Sequence, residues 1–253
     1  FIFLWGVLPY AEAGDVRKQL FDNGWRFALG DSTAASAAAY DDSAWRLLDL
    51  PHDWSIEGTI AADAPMGNDG GYFPAGIGWY RKTFQVPADY RDRKVGIYFE
   101  GVYMNAEVFI NGTSLGVWPY GYSSFFYDLT PHIRVGEANV VAVRVDNSQQ
   151  KNCRWYSGSG IYRHVWLTVT DKVHIDHWGM FVTTPEVSKE KATVKVQTAL
   201  KNETAADRRI TLTTTLFDAK KQSVGESETT VDLPANSSKE VSLSIPVLQP
   251  ALW

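Results

Sequence analysis

Three loops of this chain combine aromatic rings, glycines and charged side chains in a pattern that could bind a sugar. They span residues 50–55, 70–82 and 154–163. Glycines let the backbone turn tightly, so neighbouring rings can present a flat apolar face with polar groups along its edge. A pyranose has C–H groups on one face and hydroxyls around its rim, which suits such a surface. The alternative is that most of these rings fill the core of a β-rich domain, the commoner use of aromatic side chains.

Other kinds of chemical site are poorly supported. His52 and Asp53 are neighbours, which alone does not make a catalytic pair, and the SGSG segment at 157–160 lacks the strand-to-helix setting of a nucleophile elbow. No Walker-type phosphate loop occurs in the sequence. His174 and His177 are expected to be packed or solvated rather than to bind a metal. Glycoside hydrolysis needs two positioned carboxylates, and Asn202-Glu203 reads as a polar hairpin tip rather than the place for one. We expect no metal and no cofactor.

Length and composition are those of a globular chain. It has 253 residues and a mass of 28.3 kDa, enough for one large domain or two smaller ones. Hydrophobic residues make up 45% and charged residues 21%, which excludes a disordered chain. The formal net charge is -5, so no nucleic-acid partner is expected. The aromatic content is unusual at 13%, with ten Trp, and several of these rings lie in the three loops.

Residues 1–13 are predicted to be the remnant of a signal peptide. Residues 1–10 are mostly apolar, and small residues flank Glu12, which predicts cleavage after Ala13. The apolar run is too short to span a bilayer, and the alternative is a first buried strand. Cys153 is the only cysteine, so no intrachain disulfide is expected, and a bacterial periplasmic protein needs none. We expect export to the bacterial periplasm or the extracellular space.

Alternation of apolar and polar residues predicts an all-β fold. Residues 141–145, 194–198 and 241–245 each alternate in the way typical of a strand with one wet face. Asn111-Gly112 separates two apolar runs and predicts a tight hairpin, because both residues tolerate positive φ. Residues 34–40 are rich in alanine but present no apolar face, so we expect a loop or a single turn there.

The composition changes near residue 172. Nearly all of the Gly-rich loops and most of the Trp lie before it, whereas Thr, Ser, Val, Lys and Glu dominate after it. The sequence predicts a first sandwich domain over residues 14–171. A smaller immunoglobulin-like sandwich is predicted over residues 172–253, and its end could lie beyond Trp253.

Seven motifs, in this order, resemble the N-terminal region of glycoside hydrolase family 2, especially its bacterial β-galactosidase-like members. They are LPHDW at 50–54, GIGWYRK at 76–82, FEGV at 99–102, VFING at 108–112 with LG at 115–116, GYSSF at 121–125, NVVAVRVDN at 139–147 and RWYSGSGIYR at 154–163. Each motif is short, and the resemblance rests on their common order. It covers about residues 20–253.

The resemblance implies a jelly-roll sugar-binding domain followed by an immunoglobulin-like domain. In the family a (β/α)8 barrel comes next and carries both catalytic Glu. Members hydrolyse terminal β-galactosides, β-glucuronides or β-mannosides with retention. The barrel is missing from this chain, so we expect no catalytic residue within it and no hydrolytic activity from it alone.

Substrate-binding roles follow from the same resemblance. The family's jelly rolls contribute loops to the rim of the barrel pocket, which implies that Asp53, Arg154, Trp155 and Tyr156 bind substrate. Asp53 would accept hydrogen bonds from sugar hydroxyls, and Arg154 would donate them or hold Asp53. Some members carry an acidic residue near the position of Arg154, and this chain departs from that pattern.

The leading hypothesis is therefore the non-catalytic N-terminal portion of an exported retaining exo-β-glycosidase, with β-galactosidase as the preferred activity. A stand-alone carbohydrate-binding module is the alternative, because a jelly roll alone does not decide between these roles. A purely structural or oligomer-forming role is the third hypothesis. The expected partners are a terminal β-linked sugar, the missing barrel and a second copy of the chain.

Overall fold

The computed structural model of the protein describes residues 18–252. The predicted signal-peptide segment at 1–13 lies outside these residues. The chain divides between Val169 and Thr170 into two compact units. Both are built almost wholly from β-strands, which confirms the prediction of an all-β chain with a jelly-roll sandwich followed by an immunoglobulin-like one.

The first unit consists of two sheets. Its strands are β1 (Lys18–Leu20), β2 (Trp25–Leu29), β3 (Arg46–Leu48), β4 (Gly76–Gln85), β5 (Lys94–Phe99), β6 (Ala106–Ile110), β7 (Thr113–Trp118), β8 (Phe125–Asp128), β9 (Ala138–Asn147) and β10 (Val165–Thr170). A short helix, α1, spans Trp54–Glu57, and 3-10 turns span Thr33–Ser36 and Ala88–Tyr90. One sheet has the order β3-β2-β4-β9-β6-β7 and the other β1-β10-β5-β8.

The core of the first unit lies between these sheets. Tyr80 of β4 and Val143 of β9 come from the six-stranded sheet, and Ile97 and Phe99 of β5 come from the four-stranded sheet. All four side chains are fully buried in one cluster. The alternation predicted at residues 141–145 follows from this arrangement, because every second side chain of β9 points into the shared core. The opposite face, which was expected to be wet, is covered at Ala142, which is 1% exposed and packs with Ala35 and Trp79.

The hairpin predicted at Asn111-Gly112 is present. It joins β6 to β7, and its two turn residues have φ angles of 50° and 87°. These left-handed conformations suit Asn and Gly, so the turn chemistry read from the sequence is confirmed.

The alanine-rich stretch at 34–40 is a loop that begins with the single turn Thr33–Ser36, as predicted. Arg81 of β4, only 1% exposed, holds it in place. The Arg81 guanidinium pairs with the Asp42 carboxylate at 2.9 Å and donates to backbone carbonyls of Ala35, Ala37, Ala38 and Tyr40. The stretch also buries Ala35 against Trp79 and Ala142, so the expectation that it has no apolar face to dock is wrong. Apolar packing and one buried cation that satisfies its carbonyls together order the loop.

The second unit is a smaller sandwich. Its strands are β11 (Val173–Val187), β12 (Lys191–Asn202), β13 (Arg208–Phe217), β14 (Ser223–Leu233) and β15 (Ser237–Leu248). The order β11-β12-β15 forms one sheet and β13-β14 the other. The core joins the two sheets through Leu200, Leu212, Val231, Leu233 and Leu243.

Asn202, the last residue of β12, is buried and organises the following turn. Its Nδ2 donates to the carbonyls of Ala206, Leu233 and Pro234 at 2.9–3.0 Å, and its Oδ1 accepts from Thr204. The Asn202-Glu203 dipeptide therefore lies at a polar turn, but not at the predicted hairpin tip, because β12 and β13 belong to different sheets. The asparagine there has a structural role.

Candidate functional site

The Asp53 carboxylate holds the loop at residues 157–160 against the start of α1. Asp53 caps α1, and its Oδ1 accepts hydrogen bonds from the backbone N–H groups of Ser55 (2.9 Å) and Ser159 (2.8 Å). A backbone hydrogen bond of 2.8 Å from His52 N to Ile161 O runs alongside. Two loops separated by more than a hundred residues of sequence are thus joined into one element.

Two glycines permit this close approach. A Cβ at Gly158 would overlap the Asp53 carboxylate, and a Cβ at Gly160 would lie 2.7 Å from the carbonyl oxygen of His52. Gly160 also has a φ of 123°, which side chains rarely adopt. The SGSG segment is therefore shaped by packing, in agreement with the expectation that it is no nucleophile elbow.

Buried polar residues that sequence reasoning missed complete the support of this loop. Ser159 Oγ accepts from Ser55 Oγ at 2.7 Å and from Asn147 Nδ2 at 2.8 Å. Asn147 is buried, and its Oδ1 accepts from Gln150 Nε2 at 2.8 Å and Asn152 Nδ2 at 2.9 Å. The only sequence signal for Asn147 was its place at the end of the NVVAVRVDN motif.

A neutral histidine connects the same region to the core. His52 is buried, with Nδ1 2.7 Å from the Tyr80 hydroxyl and Nε2 3.2 Å from Glu57 Oε2. Hydrogen bonds from Arg46 lower the pKa of Glu57 to about 2, whereas burial lowers the pKa of His52. Burial also raises the pKa of the Tyr80 phenol. The imidazole therefore links a protonated phenol to an ionised carboxylate.

An exposed segment precedes the loop at residues 157–160, called here the braced loop. The segment consists of Arg154, Trp155 and Tyr156. Trp155 is 67% exposed and Tyr156 65% exposed. Their rings are nearly parallel, with an interplanar angle of 12° and centroids 6.0 Å apart. A Cβ at Gly71 would lie 3.4 Å from the Tyr156 Cβ, so the second aromatic loop adjoins this segment. The two rings offer a wide apolar surface on the first unit.

The structure separates the four predicted substrate-binding residues into two positions. Arg154, Trp155 and Tyr156 form the exposed segment, whereas Asp53 supports the loop that follows it. The Asp53 Oδ1 accepts from two backbone amides, and Oδ2 lies where a Cβ at Gly158 would overlap it. No hydrogen bond joins Arg154 to Asp53, so the guanidinium does not hold that carboxylate here.

A second group of rings lies beside Asn152. The Tyr103 hydroxyl donates to Asn152 Oδ1 at 3.4 Å, and the Tyr103 and Tyr122 rings meet edge to face at 5.2 Å. Tyr120 packs on Tyr122 at 5.7 Å, and both are exposed. Partial burial, reinforced by Tyr103, raises the pKa of Tyr122 to about 12, so its hydroxyl remains a hydrogen-bond donor. The GYSSF motif at 121–125 was the signal that could have indicated this group.

The two carboxylates next to the braced loop are both engaged. Asp53 Oδ1 accepts from backbone amides, and Glu57 accepts from the Arg46 guanidinium. Within residues 18–252, no group of three or more His, Cys, Asp and Glu could hold a metal ion. The same residues contain no helix with the length and apolarity needed to cross a membrane.

The fold defines a class of chains in which one β-sandwich domain is followed by another. Residues 18–171 match the family model described as "Glycosyl hydrolases family 2, sugar binding domain". Residues 173–253 match the model described as "Glycosyl hydrolases family 2". The chain therefore belongs to glycoside hydrolase family 2, which confirms the resemblance found in the sequence.

Known proteins of this family are similar over almost the whole chain. The β-galactosidase BoGH2A of Bacteroides ovatus is 48% identical over 233 residues, which are 92% of this chain and 27% of that protein. A Formosa agariphila protein named for β-glucuronidase activity is 42% identical over 79% of this chain and 19% of its own length.

The fold is also shared with a solved structure of the family. A family 2 member from Bacteroides cellulosilyticus has a TM-score of 0.90 and 40% identity, covering 94% of this chain and 31% of that one. The chain thus spans between a fifth and a third of the length of these relatives.

Proposed function

We propose that this chain is the non-catalytic sugar-binding and immunoglobulin-like portion of a retaining exo-β-glycosidase that hydrolyses terminal β-galactosides. The observation that carries the proposal is the 48% identity to a β-galactosidase over 92% of the chain. Since the match spans 27% of that relative, we assign the two catalytic Glu to a barrel beyond the residues of this chain. The part present would supply the rim of the substrate pocket.

Within that rim, we assign sugar contacts to Trp155, Tyr156, Arg154 and Asp53. The exposed rings offer their faces to the C–H groups of a pyranose, and Arg154 offers donors to its hydroxyls. Asp53 offers only Oδ2, because its other oxygen is engaged. Its larger contribution would be to keep the 157–160 loop, and through it the rings, in place.

One feature of the rim favours a second candidate, β-glucuronidase activity. Arg154 is an exposed cation beside two stacked rings, and a guanidinium pairs well with the carboxylate of a uronic acid. The 42% identical relative named for β-glucuronidase activity points the same way. The two activities differ by one charge on the substrate, so they are separable by experiment.

Export is also part of the proposal. The apolar stretch at residues 1–10 and the small residues around Glu12 support a signal peptide cleaved after Ala13. A single cysteine is compatible with an oxidising compartment, because no pairing partner is available within the sequence. Secretion of a fusion between the complete N-terminal segment of the longer protein, through residue 20 of this chain, and a reporter that is active only outside the cytoplasm tests this. An inactive reporter would contradict export.

The substrate is tested on the longer protein with 4-nitrophenyl β-galactoside and 4-nitrophenyl β-glucuronide. A higher kcat/KM for the galactoside is expected, and a preference for the glucuronide would replace the first candidate by the second. Trp155→Ala is expected to raise KM about tenfold with a smaller effect on kcat, because stacking is lost equally in ground and transition states. Phe217→Ala, an exposed ring in the second unit, serves as the matched control.

Two measurements on the 253-residue chain distinguish the portion of an enzyme from a stand-alone binding module. We expect it to release no nitrophenol from either substrate. Calorimetry with methyl β-galactoside is expected to detect no sugar binding tighter than a Kd of about 1 mM, because the rim is incomplete. Hydrolysis by this chain would overturn the assignment of the catalytic Glu, and tight sugar binding would favour the stand-alone carbohydrate-binding module.

A further inference from the structure

A bulge in β11 places a tryptophan above the outer face of the second unit. Pairing between β11 and β12 shifts between Ile175 and Met180, which face Leu200 and Thr198, so the residues between them oppose Ala199 alone. The extra residues cannot stay in the ladder and the strand bends away from it.

The bulge fixes the tryptophan tightly. Trp178 has a φ of 55°, and a Cβ at Gly179 would lie 2.9 Å from the carbonyl oxygen of Ala199, so only glycine lets the bulge sit this close to β12. The His177 ring packs against the indole with centroids 4.4 Å apart. Trp178 nevertheless remains 64% exposed.

Beside this indole lies a cavity of about 250 Å³, roughly the room for one sugar ring and its hydroxyls. Its floor is the small side chain of Ala199, which is paired with Glu240 across the sheet. Phe181, paired with Gln197, lies on the next row of the same face. The cavity thus has apolar rings on one side and polar groups on the other.

The polar side is preorganised. Gln197 Nε2 donates to Glu240 Oε1 at 3.0 Å, which fixes the orientation of both side chains. Gln197 Oε1 and Glu240 Oε2 can then accept hydrogen bonds from a ligand, and the second N–H of the amide can donate one. A flat indole face next to an oriented amide and carboxylate matches the two faces of a pyranose.

We propose that the Trp178 cavity is a second sugar-binding site, selective for a neutral hexopyranoside. The Glu240 carboxylate at its edge repels a uronic acid, so selectivity for an uncharged ring follows from charge. An apolar protein surface docking here would bury that carboxylate and the Gln197 amide with no partner beyond each other, which costs free energy. Sugar hydroxyls satisfy both groups while the ring covers the indole.

This site involves none of the rim residues of the first unit. It rests on the proposed function only for the choice of sugar, since a β-galactoside is the neutral hexopyranoside in question. In an exo-acting enzyme such a site would hold another part of a polymeric or branched glycan and raise its local concentration.

The test is a titration of the ¹⁵N-labelled 253-residue chain followed through its indole N–H resonances. Methyl β-galactopyranoside is the probe, and methyl β-glucuronide is the charged comparison. Trp178→Phe assigns the Trp178 resonance, and the Trp155 resonance reports the rim separately. We expect the Trp178 signal to shift and saturate with a Kd of about 1 mM, as a ligand of this size allows.

Variants then separate binding from folding. Trp178→Ala is expected to abolish binding at this site, and Gln197→Ala to weaken it about tenfold, while Phe217→Ala leaves it unchanged. Retained amide dispersion shows that each variant is folded. A Trp178 signal that does not respond to the galactoside, or that responds equally to the glucuronide, would overturn the proposal. So would an indole shielded from iodide quenching in the longer protein, because a protein surface would then occupy the cavity.

Outcomes at this site and at the rim are independent. A longer protein that does not prefer the β-galactoside as substrate would overturn the proposed function without changing the result of the Trp178 titration. A Trp178 resonance that does not respond, together with a β-galactoside preference in the longer protein, would overturn the second site and leave the proposed function intact.

Discussion

Replacing Asp53 by alanine measures how much the joint between α1 and the 157–160 loop contributes to the first unit. The change removes the helix cap, which costs about 1 kcal/mol. It also removes the charge-assisted hydrogen bond from the Ser159 N–H, which contributes about 1.5–3 kcal/mol. We expect Asp53→Ala to lower the free energy of unfolding by about 3 kcal/mol. Asp53→Asn keeps an oxygen at the Oδ1 position and is expected to cost only about 1 kcal/mol.

Urea unfolding followed by tryptophan fluorescence measures both variants. Seven of the Trp lie between residues 18 and 169 and one between 170 and 252, so the signal reports mainly on the first unit. If the free energy of unfolding of Asp53→Ala lies within about 0.5 kcal/mol of that of the native chain, Asp53 does not hold the 157–160 loop as argued. An Asn variant as unstable as the Ala variant would show that the negative charge matters rather than the acceptor. An Asn variant that is stable but binds sugar more weakly would assign Oδ2 to the ligand.

Three further perturbations test the framework around the site. Arg81→Met should cost about 3–5 kcal/mol in thermal unfolding, because the Asp42 carboxylate and the carbonyls of the alanine-rich loop lose a buried partner; a cost below about 1 kcal/mol would contradict this. The pKa of Glu57 is lowered to about 2, so its bond to Arg46 stabilises the fold above pH 4.5, its ordinary value, and is lost as pH falls towards 2. Because both side chains are partly exposed, the loss should be about 1 kcal/mol, and Glu57→Gln should remove that part of the acid dependence in urea titrations. Asn202→Ala should cost the second unit about 2–4 kcal/mol in urea unfolding followed by circular dichroism, and an unchanged midpoint would refute its role in the turn.

Local chemistry carries the parts of this fold that the sequence predicts. The Asn111-Gly112 turn needs only two residues that tolerate positive φ, and both adopt it. The alternation at residues 141–145 needs only a strand between a core and a second surface, which β9 provides. The alanine-rich stretch was expected to be a loop, and it is one, although the expected lack of an apolar face is wrong at Ala35.

Long-range polar contacts could not be predicted in the same way. The aromatic residues around Arg81 predict a strand that packs in the core. No neighbouring residue in the sequence indicates that the Arg81 guanidinium is buried under a loop some forty residues earlier. Ser159 Oγ accepts hydrogen bonds from Asn147 and from Ser55, which lies 104 residues earlier in the chain. Such residues look like ordinary surface polar positions until the topology brings their partners together.

The division of the aromatic residues between core and surface follows from backbone geometry. In a paired strand the pleat dictates which way a ring points, and Trp79 and Tyr80 of β4 are both buried, on opposite faces of the sheet. Trp155 and Trp178 are exposed, and each lies where the backbone leaves regular pairing, one in a loop and the other in a bulge. A ring on a paired strand can also be exposed, as Phe181 is opposite Gln197, but loops held by buried polar groups and bulges opened by glycine free a ring from the direction that the pleat imposes. Exposed tryptophans at such irregular positions are therefore the residues to test first for sugar binding in chains of this family.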